Sequence, residues 1–348
     1  MNSLVALVLL GQIIGCTLSH HLTPQFDCNS EEAEKYAHLA VNYINEHAIH
    51  GYKHVVNVIK DAHVLPRRPH GKVIFLELKL VETECHVLDS KPAENCTVRA
   101  QHYHAVEADC DVKLLSDEGV DNVVAAKCHS DPDSVEDVRR NCPKCPILLP
   151  LNDPHVLQSV EYVLHKHNEK LPNHAYEVLE ISRGQHKYEP EAFYVEFAIV
   201  ETNCTHQEAH DGDHHCHPKA LGEAHFGFCR ATVFRSHAVT EKPKDEKYES
   251  DCVIFDVKEG HSHTHLVNHH FVKNIDSPGH NNTVLNLVHS HNHTSASHES
   301  HSHEHVAAAP VAKREAPTEP PHDHTHDHTH DHTHATKLCP GKVHHFKL

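Results

Sequence analysis

Apolar residues recur along the chain in two periods, and both periods occur twice. Between Glu31 and His47, the residues Ala33, Tyr36, Ala37, Ala40, Val41 and Ile44 fall on one face of a helix. Asn29 or Ser30 can cap its start. The arrangement begins again at Asp153, a capping residue followed by Pro154 at the first helical position. Its stripe is Val156, Val160, Val163, Leu164 and His167, and the histidine reads as a boundary position rather than a ligand. After each helix the period drops to two. KVIFLELKLVETEC ends at Cys85 and AVEADCDVKLL spans Ala105 to Leu115. In the second half, FYVEFAIVETNC ends at Cys204, HFGFCRATVF spans His225 to Phe234, and DCVIFDV spans Asp251 to Val257. Alternation with β-branched content predicts antiparallel hairpins. A helix followed by such strands predicts an α+β domain with the helix across the sheet, present twice.

The cysteines carry the same duplication. Cys85, Cys96, Cys110 and Cys128 recur, at similar spacing, as Cys204, Cys216, Cys229 and Cys252. The N-terminal MNSLVALVLLGQIIGCTLS has an apolar core, Leu4 to Leu10, too short to span a bilayer, so residues 1–19 read as a signal peptide without a basic n-region. No other segment is apolar enough to cross a membrane. Of 13 cysteines, Cys16 leaves with the leader, and the remaining twelve read as six disulfides in an oxidising compartment. Asn95, Asn203, Asn281 and Asn292 head glycosylation sequons.

Two such domains, each with two nested cysteine pairs, resemble tandem cystatin-like domains. The joining NCPKCP and the lone Cys28 and Cys339 near the two ends resemble the fetuin family. The stretches INEHAIHGYKH, CHSDPDSVEDVRRNCPKCPILLP, EVLEISRGQHKYEPEAFYVEFAIVE and CPGKVHHFKL are most similar to its snake serum branch, the antihaemorrhagic factors and their His-rich relatives. The resemblance covers the leader, both domains and the C-terminal stretch, and fails between about Gly260 and Lys337. It implies the pairs Cys28–Cys339, Cys85–Cys96, Cys110–Cys128, Cys142–Cys145, Cys204–Cys216 and Cys229–Cys252, a connectivity that spacing alone leaves open. It makes Cys142-Pro-Lys-Cys145 a structural staple. The implied boundaries are 20–141 and 142–258 for the two cystatin-like domains. Residues 259–348 are then a His-rich disordered region anchored by the C-terminal disulfide.

Charge narrows the partners. With 31 basic and 49 acidic residues the formal charge is −18, which disfavours nucleic acid and anionic membranes and favours cations, mineral or basic protein patches. In AVEADCDVKLL the carboxylates Glu107, Asp109 and Asp111 alternate with Ala108, Cys110 and Val112, so they share one strand face at steps of ~6.6–7 Å. Glu77, Glu82 and Glu84 lie on a neighbouring strand. Oxygen-only rows suit calcium, and a regular row suits a mineral surface better than a closed cage. The duplication supplies a control, since Phe226, Phe228 and Arg230 stand opposite Glu107, Asp109 and Asp111 when Cys110 is aligned with Cys229. The fold itself therefore does not require the acidic ridge. The family resemblance implies binding of basic calcium phosphate through this sheet.

The leading expectation is a secreted plasma glycoprotein that binds nascent calcium phosphate and suppresses its precipitation. The alternative is inhibition of venom metalloproteinases through the cystatin-like domains. Cysteine-protease inhibition is disfavoured because neither KHVVNVIKDAH nor AYEVLEISRGQ contains the QxVxG motif. No HExxH, GxSxG or Gly-rich phosphate loop points to an enzyme, and no cofactor is required. The chain holds 46 histidines, with an unbroken Asp-His-Thr-His repeat that sets His322, His324, His326, His328, His330, His332 and His334 at alternate positions. Such a run offers overlapping imidazole sets to exchangeable zinc, copper or nickel, lost below about pH 6 as His protonates.

Overall fold

The computed structural model describes residues 26–103, 105–211, 216–220, 222–235, 247–255, 283–286 and 339–345. The signal peptide over 1–19, the sequons at Asn281 and Asn292 and the run His322–His334 lie outside the described residues. All described residues fall in one compact unit, Met1–His291 with Leu338–Leu348.

Helix α1 covers Glu31–His47, and Ser30 caps it by accepting from Ala33 N at 3.2 Å. Its acidic first turn and terminal His47 both suit the helix dipole. Strands β1 (Tyr52–Pro66), β2 (Lys72–His86), β3 (Glu107–Asp117) and β4 (Val120–Asp131) follow as an antiparallel meander. The expected helical stripe, from Ala33 to Ile44, lies buried against Ile59, Ile74, Leu76, Leu78, Leu80 and Leu114 of this sheet.

The second domain repeats the plan. A short helix α2 (Val135–Asn141) leads to β5 (Ile147–Leu148) and then α3 (Pro154–Asn168), where Asp153 accepts from His155 N at 2.8 Å. Strands β6 (Tyr176–Lys187), β7 (Ala192–Glu201), β8 (Phe226–Phe234) and β9 (Lys247–Phe255) complete the sheet, with a short helix α4 (His206–Asp211) after β7. Val156, Val160 and Val163 of α3 pack on Val195, Phe197 and Val233. His167 sits half-buried at the stripe's edge, 5.6 Å from the Tyr176 ring.

Strands β1 and β6 escape the sequence pattern for a physical reason. Register shifts interrupt β1 between Val56 and Val58 and between Ile59 and Asp61. They interrupt β6 between Val178 and Glu180 and between Ile181 and Arg183. Each irregularity resets which face the next residue occupies, so the period of two is lost.

Within the region read as disordered, Thr283–Asn286 forms a strand, β10, added in parallel to β4. Leu285 packs on the first core, and the Thr283 hydroxyl lies 2.8 Å from that of Tyr43. This short apolar run can bury one side chain and complete an edge, which its His-rich surroundings mask in composition.

The structure forms all six disulfides, Cys28–Cys339, Cys85–Cys96, Cys110–Cys128, Cys142–Cys145, Cys204–Cys216 and Cys229–Cys252. The two domains are packed together. Ala198, Val200, Phe226 and Phe228, on the outer face of the second sheet, belong to the same buried cluster as the first domain's core. The Phe228 ring meets Tyr52 edge-on at 6.0 Å and stacks on His86 at 4.8 Å. The second domain lacks an acidic ridge because its equivalent face is spent on this junction.

Candidate functional site

The first sheet's outer face carries the predicted ridge. Ala108, Cys110 and Val112 are buried, so Glu107, Asp109 and Asp111 point outward. Strand register then adds what the linear pattern could not. Asp61, Glu77, Asp111 and Lys127 form one row across four strands, and Lys79, Asp109 and His129 form part of the next. Adjacent strands lie ~4.8 Å apart, so neighbouring charges in a row interact directly. Lys60 Nζ reaches Glu77 at 2.5 Å and Asp109 at 3.4 Å, and Lys79 reaches Glu107 at 2.9 Å. The ridge is therefore a lattice of both signs rather than a bare stack of carboxylates. Burial raises the Glu107 carboxyl, and Lys79 partly offsets that rise. Asp109, with 59% of its side chain exposed, is more open than Glu77 at 42%. A depression of about 410 Å³ beside it is lined by Asp61, His63, Phe75, Glu77, Asp111 and Lys127, among others.

Glu82 and Glu84 do not join this face, which corrects the sequence expectation. Counting by two from Glu77 reaches Lys79 and Val81, so the even-numbered Glu82 and Glu84 lie on the opposite side of β2. Glu82 is 0% exposed. It pairs with Arg99 Nε at 2.9 Å and with Arg183, which reaches across from the second domain. Arg99 in turn grips Glu196 of the second domain with both prongs, at 3.1 and 2.8 Å. The Tyr52 hydroxyl also donates to Glu196. Burial pushes the Glu196 carboxyl up, but Arg99 and Arg183 outweigh it and hold it below the ordinary value. Nearby, Glu180 of β6 accepts from Gly51 N at 2.8 Å, lies 2.9 Å from His50 Nδ1 and lies 3.5 Å from His86 Nε2. Burial opposes ionisation of Glu180 too, yet the neighbouring His50 and His86 imidazoles bring it far below the usual carboxylate range. Glu84 is half-buried, its carbonyl accepts from Arg230, and it lines a cleft of about 450 Å³ with Tyr103, Tyr194 and Arg230. Neither residue is placed to meet a mineral face.

A sequence signal for these anchors exists. Val-Glu-Thr-x-Cys occurs at Val81–Cys85 and again at Val200–Cys204, and both glutamates are 0% exposed. In the second domain, Glu201 is met by Lys219 at 2.5 Å, His225 Nδ1 at 2.6 Å and His174 Nδ1 at 2.7 Å. Burial raises the Glu201 carboxyl, but Lys219, His225 and His174 together lower it from 4.5 to about 2. Its contribution to stability is thus full above the unfolded value and is lost as pH falls through the folded one. Acid titration of unfolding should show the wild type losing stability between pH 4.5 and about 2 more steeply than Glu201→Gln. Parallel curves would remove the cluster from the account.

The joining loop Cys142–Cys145 is closed by its own disulfide, with Pro143 and Lys144 exposed. Asn95 and Asn203 are both exposed. Among the described residues, no group of His, Cys, Asp or Glu forms a metal site, and no helix is long and apolar enough to cross a membrane.

Residues 145–237 match the Cystatin domain family. The chain is 77% identical over 350 residues to antihaemorrhagic factor cHLP-B of Gloydius brevicauda, covering 100% of each. It is 42% identical over 256 residues to alpha-2-HS-glycoprotein of Oryctolagus cuniculus, covering 72% of this chain and 69% of the relative. The inhibitory complex of human meprin beta with mouse fetuin-B supplies a solved fetuin-B of 26% identity and TM-score 0.57, covering 67% of this chain and 74% of that one.

Proposed function

Because the chain belongs to the fetuin family, we propose that it acts as an inhibitor of metalloproteinases, the reading that the sequence alone placed second. The observation that carries this is the full-length similarity, at 77% identity, to an antihaemorrhagic factor. The fetuin-B complex with meprin beta supports it from the fold. The chain works as a secreted plasma protein and not as an enzyme. The element best suited to the contact is the exposed Pro143-Lys144 pair, because its disulfide and flanking prolines leave little loop entropy to lose on binding. Titration against a haemorrhagic venom metalloproteinase, with casein or fibrinogen as substrate, should give a linear fall to zero activity at equimolar inhibitor. Lys144→Glu should raise the inhibition constant roughly tenfold. Undiminished proteolysis at a large excess of the chain would sink this reading.

A second reading is favoured by one observation, the two-signed lattice on the first sheet. Exposed Asp109 and Asp111, with partly exposed Glu77, can meet surface calcium, while Lys127 beside Asp111 can meet phosphate. Asp61 joins the row from β1. Replacing Asp61, Glu77, Asp109 and Asp111 by their amides should shorten the delay before turbidity rises in supersaturated calcium phosphate. An unchanged delay would exclude the lattice. Exchangeable zinc, copper or nickel binding by His322–His334 would be an accessory to either function.

A further inference from the structure

Most described arginines are committed to a partner. Arg99, Arg183 and Arg230 serve the domain junction, Arg140 pairs with Asp137, Arg139 lies over the Tyr188 ring, and Arg235 meets Gln158. Arg67 and Arg68 differ. They stand with His70 at the tip of the β1–β2 hairpin, in the exposed run Leu65–Gly71, and their guanidinium groups have no partner among the described residues. The tip is nonetheless held in shape. Arg67 N donates to Gly71 O at 3.0 Å. Gly71 takes φ +88°, and a Cβ there would lie 2.6 Å from Ser116 O, so the turn sits tightly against the β3–β4 corner. Lys72, just below, is tied to Glu32.

We propose that this hairpin tip binds a sulfated glycosaminoglycan through Arg67, Arg68 and His70. The guanidinium fork matches paired oxyanion oxygens, and two adjacent forks suit a chain of repeated sulfates. The formal charge of −18 is spread along the sequence, and at physiological ionic strength charges beyond ~8 Å are largely screened. What the tip feels is local. The acidic neighbours are Asp117 and Glu118 on the β3–β4 corner, one strand beyond β2. A projecting tip of a few residues is too small for the roughly 800 Å² per partner of an ordinary protein interface. A linear polyanion needs only a few charged contacts.

The full-length chain is passed over immobilised heparin at physiological ionic strength and pH 7.4, with EDTA to prevent metal bridging through histidines. Wild type should be retained and released by salt. Arg67→Gln with Arg68→Gln should weaken binding roughly tenfold, and Arg67→Lys with Arg68→Lys should recover part of it. Asp117→Asn with Glu118→Gln should strengthen it, which a purely structural role for the tip would not produce. Desulfated heparin should not retain the chain. The proposal is overturned if wild type passes unretained, if the glutamine variant binds as tightly as wild type, or if desulfated heparin binds equally. It is also overturned if the glutamine variant keeps heparin binding and loses only metalloproteinase inhibition, which would assign the tip to an acidic protein surface. Unchanged thermal melting of the variants confirms that these exposed substitutions leave the fold intact.

Discussion

Arg183→Met should destabilise the folded chain by about 3–5 kcal/mol, the cost of stripping one partner from a buried ion pair. Arg183 is 1% exposed and reaches from the second domain to Glu82 of the first, which is 0% exposed. Without it, Glu82 keeps Arg99, but Arg99 is already shared with Glu196. No water can take the missing place at a site this dry without opening the junction. Urea unfolding followed by fluorescence of tyrosines in both domains is the measurement. The midpoint should fall, and the transitions of the two domains should separate, because the residue lost is one that joins them. Adding Glu82→Gln to Arg183→Met should recover part of the stability by removing the stranded charge. A loss under about 1 kcal/mol would mean that the pair behaves like an exposed surface bridge.

The second large effect is expected from Cys28→Ser with Cys339→Ser. This disulfide joins residues 311 positions apart, and chain-entropy arguments give such a closure roughly 5 kcal/mol. Its structural role is equally specific. It seats the C-terminal stretch along β1, where Gly341 N donates to Ile59 O at 2.8 Å and His344 N donates to Asn57 O at 2.9 Å. A Cβ at Gly341 would lie 3.0 Å from Cys28 O, a contact that a shift of a few tenths of an ångström would have to relieve. The partners Asn57 and Ile59 flank the irregularities in β1, so the C-terminal stretch satisfies an edge that is already out of register. Hydrogen exchange should report the loss first at Gly341 and His344, with a lower melting temperature for the first domain. Retained protection at both amides would show that the stretch docks without its covalent tether.

These two features describe how the tandem is held. One edge of the first sheet is covered by the C-terminal stretch and the other by β10, while the outer face of the second sheet is covered by the first domain. Among the described residues, nothing covers the charged outer face of the first sheet. A rigid two-domain body is a favourable inhibitor scaffold, because little orientational freedom between the domains is lost on binding.

Local structure was written in local sequence. Ser30 and Asp153 announce the two helices, their apolar stripes announce the buried faces, and alternation with β-branched content announces β2, β3, β7, β8 and β9. These signals arise between residues a few positions apart, where 3.6-residue and two-residue periods hold. The outward row Glu107, Asp109 and Asp111 was legible for the same reason, and parity alone already separated Glu82 and Glu84 from Glu77. Only the tertiary structure decided the rest. Strand register brings Lys60, Lys79 and Asp61 to the ridge, and the bulges that hide β1 and β6 from the pattern make sense only beside their partner strands. Domain docking gave two equivalent sheet faces opposite fates, one solvated and charged, the other buried around Phe226 and Phe228. Alternation specifies that a residue faces out of its own sheet, but what it then meets, water or another domain, depends on contacts made by distant parts of the chain.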